Sequence, residues 1–184
     1  MMHTRTRKVE ESDLRAIADV VLAAFGPAEG EQIVQLIADL SVDASAQPVR
    51  SLVATLDDRL VGYILFTRAR VDTAEREVSA ALLAPLAVHP DFQSQPIGDQ
   101  LVREGLRQLA EADVDLVFVL GHPEYYPRFG FAPAGIRGFE APYPIPPSNA
   151  GAWMVLGFRP GIVAAVAGQV RCADALDDPQ YWRE

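Results

Sequence analysis

The stretch A-P-L-A-V-H-P-D-F-Q-S-Q-P-I-G-D-Q-L-V-R-E-G-L-R-Q-L-A-E-A, Ala84 to Ala112, reads as strand, tight loop and helix. Leu82, Leu83, Leu86, Ala87 and Val88 form a nearly continuous apolar run, the pattern of a strand covered on both faces. His89-Pro90-Asp91-Phe92 turns the chain, and Gln93 to Gly98 makes a polar loop that ends in glycine. From Asp99 onward, Leu101, Val102, Leu106, Leu109 and Ala110 return at helical spacing. A helix start leaves backbone N–H groups without intrahelical acceptors and carries partial positive charge, so it suits a phosphate group. Asp99 is expected to cap this helix, since its own charge would repel a phosphate. Gly98 lets the backbone approach a ligand closely, and Arg103, one turn on, is expected in solvent.

Outward from this stretch, the chain predicts a mixed sheet. Thr4 to Val9 is a first edge strand; a helix from Ser12 or Asp13 presents Leu14, Ile17, Val21 and Phe25 on one face. Gly26-Pro27 ends that helix, and a second runs from Glu29 to Leu40. Arg50 to Leu56 and Leu60 to Val71 form a hairpin around Asp57-Asp58-Arg59, with Gly62 marking a bulge or a close backbone approach. A charged turn, Asp72 to Glu77, leads to the strand Val78 to Val88. There Pro85 cannot donate a ladder hydrogen bond, which implies a bulge or local loss of pairing. Asp115 to Gly121 is the next strand, parallel to the last through the helical crossover. His122 to Arg128 is a helical turn, Phe129 to Ala132 begins a strand, and P-Y-P-I-P-P (Pro142 to Pro147) is a stiff connection. Ala152 to Phe158 is a last strand whose edge is available to a second chain, so monomer and homodimer are both open. Beyond Gly161, Ile162 to Val166 packs as a helix and the acidic end is expected to be exposed.

Composition bounds the function. The length of 184 residues corresponds to one domain over 1–184, with 49% hydrophobic and 22% charged residues. A net charge of −9 argues against a general nucleic-acid binder and is compatible with an amine or cationic partner. Cys172 is the only cysteine, which excludes an intramolecular disulfide and a cysteine-built zinc site. His3, His89 and His122 show no ligand spacing, and no metal is expected. No stretch is long and apolar enough for a membrane helix and none is of signal-peptide type, so the expected location is the cytoplasm. G-x-S-x-G, Walker-type and H-E-x-x-H patterns are missing.

A-P-L-A-V-H-P-D-F-Q-S-Q-P-I-G resembles the acetyl-CoA signature of the GCN5-related N-acetyltransferases, Q/R-x-x-G-x-G/A after a strand ending in V-x-P. Gly121-His-Pro-Glu-Tyr-Tyr-Pro-Arg-Phe-Gly-Phe131 resembles that family's later Y-x-x-x-G-F element. Order and separation of the pair add specificity, and the resemblance is strongest between about 50 and 160, leaving 161–184 as a tail. It implies an α/β fold with a mostly antiparallel sheet flanked by helices, and a splayed strand pair that forms an acyl-CoA cleft. It further implies acetyl-CoA as co-substrate, paired with backbone at Leu86, Ala87 and Val88. Gln93, Ser94, Gln95, Ile97, Gly98 and Asp99 then form the pyrophosphate loop. The first two helices border the acceptor, which the resemblance identifies only as an amine of a small molecule or protein. Pro96 stands where the motif has its first glycine and removes one N–H, at a cost of roughly 1.5–3 kcal/mol of binding.

Acyl transfer to an amine needs a held thioester, a neutral amine and a proton for the departing thiolate. Tyr126, four residues before Gly130, matches the family tyrosine near the cofactor sulfur and is the candidate general acid. Tyr125 is its backup and is expected to point elsewhere. The base is open among Glu77, Glu124, His89, His122 and a water chain. A non-catalytic acyl-CoA-binding module is the alternative reading, motivated by Pro96 and by the lack of an obvious base.

Overall fold

Val53, Ile64, Leu82, Phe118 and Val155 are all almost fully buried and lie on neighbouring strands of one sheet. The structure is a computed structural model and describes residues 3–73 and 77–183. The chain runs β1 (Thr4–Lys8), α1 (Leu14–Phe25), α2 (Pro27–Val42), β2 (Arg50–Leu56), β3 (Arg59–Asp72), β4 (Ala80–Val88) and α3 (Ile97–Glu111). It continues through β5 (Leu116–Leu120), β6 (Ala132–Pro133), β7 (Phe139–Glu140), β8 (Trp153–Gly157), α4 (Ile162–Ala165) and β9 (Gly168–Arg171). The sheet order is β1-β2-β3-β4-β5-β8-β6, and β4 with β5 is the parallel pair along it, as a helical crossover requires. This is the expected mixed, mostly antiparallel sheet flanked by helices.

Local chemistry explains the joints. Asp57 and Asp58 both take positive φ (48° and 68°), so the β2–β3 turn follows the right-handed twist of its strands. Gly62 shows both features read into it. Val61 is the extra residue of a bulge, because Gly62 faces Ala54 while Leu60 faces Thr55. A Cβ on Gly62 would also stand 2.9 Å from Leu101 Cδ1, so its absence lets α3 press onto the sheet. α2 starts with Pro27, whose fixed φ suits a first turn, and outlasts the expected boundary by two residues. The charged turn at Asp72 to Glu77 lies partly outside the described residues, since 74–76 are not described.

Each face of the sheet has its own core. On one, α1 and α2 cover Tyr63, Leu65, Phe118 and Trp153; on the other, α3 buries Ile97, Leu101 and Val102 against Ile64 and Phe66. Burial of this kind contributes about 25 cal/mol per Å² of apolar surface removed from water.

The C-terminal region departs most from expectation. β8 lies between β5 and β6 and so offers no free edge after Ala152. Phe129 closes a short 3-10 turn, and the strand after it is only Ala132–Pro133. The helix at Ile162 lasts a single turn, and β9, which the local pattern does not signal, pairs with the end of β3 and with β7. The tail is not simply exposed. Trp182 is buried, packs edge-on against Trp153 at 5.7 Å and donates its indole N–H to the Leu176 carbonyl. Asp43, just past α2, holds this tail by accepting from the Ala175 amide at 3.0 Å, while Ser45 Oγ accepts from the Asp174 amide at 2.8 Å.

Candidate functional site

β4 and β5 run side by side from Ala80 to Leu83 opposite Leu116 to Val119, and then part. The parting coincides with Pro85. Leu83 faces Phe66 and Leu86 faces Ile64, so Ala84 and Pro85 together oppose Leu65 in a bulge. Past it, β4 stays paired with β3, and the His89 amide donates to the Val61 carbonyl at 2.8 Å. Strand alternation therefore turns the backbone groups of Leu86 and Val88 away from β3 and into the gap. The Val88 carbonyl there accepts from the Gln93 side-chain amide at 3.0 Å.

The gap widens into a cleft of about 880 Å³, within the range of small-ligand sites. Of the anticipated cofactor residues, Leu86, Val88, Gln93, Ser94, Gln95, Gly98 and Asp99 line it. The side chains of Ala87 and Ile97 do not. Ala87 alternates onto the α1 face of the sheet, and Ile97, fully buried, turns toward the α3 core near Gly62.

At one end of the cleft lies the start of α3. The helix begins at Ile97 with Pro96 in the capping position, three residues before the expected cap, Asp99. Its first backbone bond runs from the Gln100 amide to the Pro96 carbonyl (3.1 Å). The amides of Ile97, Gly98 and Asp99 precede that bond and have no carbonyl of the helix to meet. Asp99 is thus not the cap: it sits in the first turn, where its charge favours the helix dipole. Its carboxylate accepts from the Tyr125 hydroxyl at 2.9 Å and lies 3.5 Å from Arg128 Nη1.

That contact explains Gly98, because a Cβ there would stand 2.8 Å from the Tyr125 hydroxyl oxygen. Tyr125 consequently points into the cleft and not away from it. Burial, and then the Asp99 carboxylate, pushes its phenol well above the ordinary tyrosine range. Arg128 stacks over the Tyr125 ring at 4.4 Å and donates from Nε to the Tyr125 carbonyl. It is the cation of this end, and sequence reasoning passed over it because it sits inside the Y-P-R-F-G-F motif without a motif role. Arg103 is likewise not simply solvated, for its guanidinium lies 5.0 Å from the Phe129 ring centroid.

Tyr126 is buried in the cleft wall, edge-on to Tyr125 (5.1 Å) and to Phe131 (5.7 Å). Gly121 makes room for it, since a Cβ there would lie 2.4 Å from Tyr126 Cε2. Among the four candidate bases only His122 lines the cleft. Glu124 lines a neighbouring recess with His122 and Arg128. His89 accepts from the Asp91 amide and packs edge-on against Phe92 at 5.7 Å, finishing the strand; Glu77 is exposed away from the lining.

The other end is built from segments far apart in sequence. α1 and α2 contribute Phe25, Glu29, Gln32 and Ile33, and the tail contributes Tyr181 and Trp182. Sequence reasoning located the helices here and missed the tail, because burial of Trp182 depends on Trp153 and Asp43, both remote in the chain.

Among the described residues no group of three or more His, Cys, Asp or Glu side chains is placed to hold a metal ion, and no helix is long and apolar enough to cross a membrane. The family model of an acetyltransferase (GNAT) domain matches residues 5–134. The uncharacterized N-acetyltransferase YjhQ of Escherichia coli is 40% identical over 166 residues, 90% of each chain. In three dimensions the chain resembles the N-acetyltransferase YhbS of Escherichia coli, solved in complex with CoA. The TM-score is 0.84 at 26% identity, over 97% of this chain and 94% of that one. A GNAT family acetyltransferase from Brucella melitensis, solved with acetyl-CoA, gives a TM-score of 0.74 at 29% identity over 95% and 99%.

Proposed function

The chain belongs to the GNAT family of acetyltransferases, and from that premise we propose that it moves an acetyl group from acetyl-CoA to a primary amine. The observation that carries the reading is the parting of β4 from β5 at Pro85, which opens an unpaired strand edge directly onto the amides at the start of α3. Leu86 and Val88 offer backbone partners to the amides of an extended pantetheine arm, with Gln93 releasing the Val88 carbonyl as the arm enters. The free amides of Ile97, Gly98 and Asp99 receive the pyrophosphate, and Arg128 offsets the repulsion from Asp99. The relatives solved with CoA and with acetyl-CoA support the same ligand for this cleft.

Acetyl-CoA, when bound, supplies the acetyl group as an activated thioester. Tyr126 is the general acid of the proposal: its phenol stands in the cleft with the proton a departing thiolate needs. Tyr125 is committed to Asp99 and positions the loop. His122, directly or through water, takes the proton from the attacking amine, so that the nucleophile is neutral when it reacts. In the proposal the amine attacks the thioester directly; no cysteine thiol takes the acetyl group first, since the only cysteine, Cys172, lies outside the lining and burial pushes its thiol up to about 12.

Calorimetric titration with acetyl-CoA, followed by an assay of thiol release with a panel of amines, tests the proposal. Micromolar binding with amine-dependent release of CoA supports it. Binding without transfer to any amine leaves the acyl-CoA-binding module, the reading that Pro96 motivates; no binding removes both.

A further inference from the structure

The acceptor end of the cleft has a chemistry of its own. Glu29 and Gln32 stand three residues apart on the stripe of α2 that faces the cleft. Both side chains are exposed along the cleft wall, and among the described residues neither engages in a hydrogen bond or ion pair. No lysine or arginine lines this end; the arginine of the cleft, Arg128, is beside Asp99 at the opposite one. Phe25, Tyr181 and Trp182 line the same end of the cleft as Glu29. Tyr181 feels further negative charge, and burial, then Asp178 and Asp39, raises its phenol pKa.

We infer that the acceptor is a small diamine or similar dication, whose second ammonium is held by Glu29 between aromatic faces while its other amine reaches Tyr126. The inference rests on the transferase reading of the same cleft. A carboxylate without a cation, in a cleft end lined also by Phe25, Tyr181 and Trp182, suits an ammonium: the charge supplies attraction, and the aromatic rings add a cation–π contribution. Gln32, with both donor and acceptor, fits the flank of the same group. The scale favours a small molecule, since the cleft of about 880 Å³, lined at this end by the buried Trp182, must also take the cofactor arm. The two amines have different fates: the one at Tyr126 loses its proton and forms the new amide, with CoA leaving as the thiol, while the one at Glu29 stays protonated.

The test is calorimetry on the protein saturated with CoA, titrated with linear diamines of increasing length, each compared with the monoamine of the same carbon count. At the best length the diamine is expected to bind about tenfold tighter than its monoamine. Glu29→Gln should collapse that ratio toward one, and Glu29→Asp should retain part of it. Added salt should lower the ratio in the natural protein. Equal affinities at every length, or a ratio untouched by Glu29→Gln, would overturn the inference, as would transfer to a basic peptide in preference to all diamines. Because binding is read without turnover, a missing reaction in the parallel assay counts against the transferase reading alone.

Discussion

The two ends of the cleft are made in opposite ways. The end at α3 comes mainly from one run of sequence, Leu86 to Asp99, joined by Tyr125 and Arg128, and works mainly through backbone: a strand edge on one side and helix-start amides on the other. The end at α2 is assembled from side chains of Phe25 to Ile33 and of a tail about 150 residues later, brought together by the contacts of Asp43 and Trp182. Backbone chemistry is the same whatever the side chains, so the first end is suited to an invariant ligand. The second can be recut by substituting a few surface residues. A shared donor with a variable acceptor is what such a division provides.

Variants that strike one end and leave the other test this division. Trp182→Ala removes a buried ring from the wall of the α2 end and should cost about 4 kcal/mol of stability by chemical denaturation. Below its unfolding transition, the variant should still bind acetyl-CoA while losing amine affinity. Loss of both together would show that the ends are one unit. Next, Tyr126→Phe is expected to lower kcat about a hundredfold, or about 2.7 kcal/mol, with the acetyl-CoA Kd unchanged. A normal rate in a single-turnover measurement would take Tyr126 out of the chemistry. Pro96→Gly restores an amide at the other end and should tighten acetyl-CoA about tenfold by calorimetry, near 1.4 kcal/mol, without altering amine specificity.

Asp43→Asn carries the smallest effect. Burial opposes ionisation of Asp43, but hydrogen bonds from the Ser45 side chain, the Ala175 amide and other local amides outweigh it, and its pKa falls below the ordinary carboxylate value. Since the folded pKa is the depressed one, the contribution is complete above the unfolded pKa and fades as pH falls through the folded one. The variant should therefore lose about 1 kcal/mol at neutral pH, with the gap closing in acid as thermal unfolding is followed.

The contrast also accounts for what could be read in advance. Strand, loop and helix at Ala84 to Ala112 were legible because their signals are local: an apolar run, a proline that breaks pairing, a polar loop and helical periodicity. The helix cap was misplaced by three residues because Pro96, read as a missing amide, also serves as the cap. Tyr125 was expected elsewhere because a regular helical turn would separate it from Tyr126. The actual 3-10 turn begins only at Tyr126, and the space above Gly98 admits the Tyr125 hydroxyl. Gly98 did mark a close approach, but the approaching group in this structure is that hydroxyl. β9 and the buried tail had no such local signal. Gly168 to Arg171 is too short and polar to announce a strand, and its partners, the end of β3 and β7, are remote in the chain.

One further consequence attaches to Pro85. A strand with free N–H and C=O groups is ordinarily a hazard at the rim of a sheet, where it can recruit the edge of a second molecule and seed aggregation. Here the bulge places the open edge inside the sheet, with β5 and the Tyr125-Tyr126 turn standing opposite. An extended chain that completes the ladder there must share the notch with Leu120, Tyr125 and Tyr126, which line its far side. The same proline that weakens the ladder thus turns its open edge inward, away from the rim where a second molecule could pair with it.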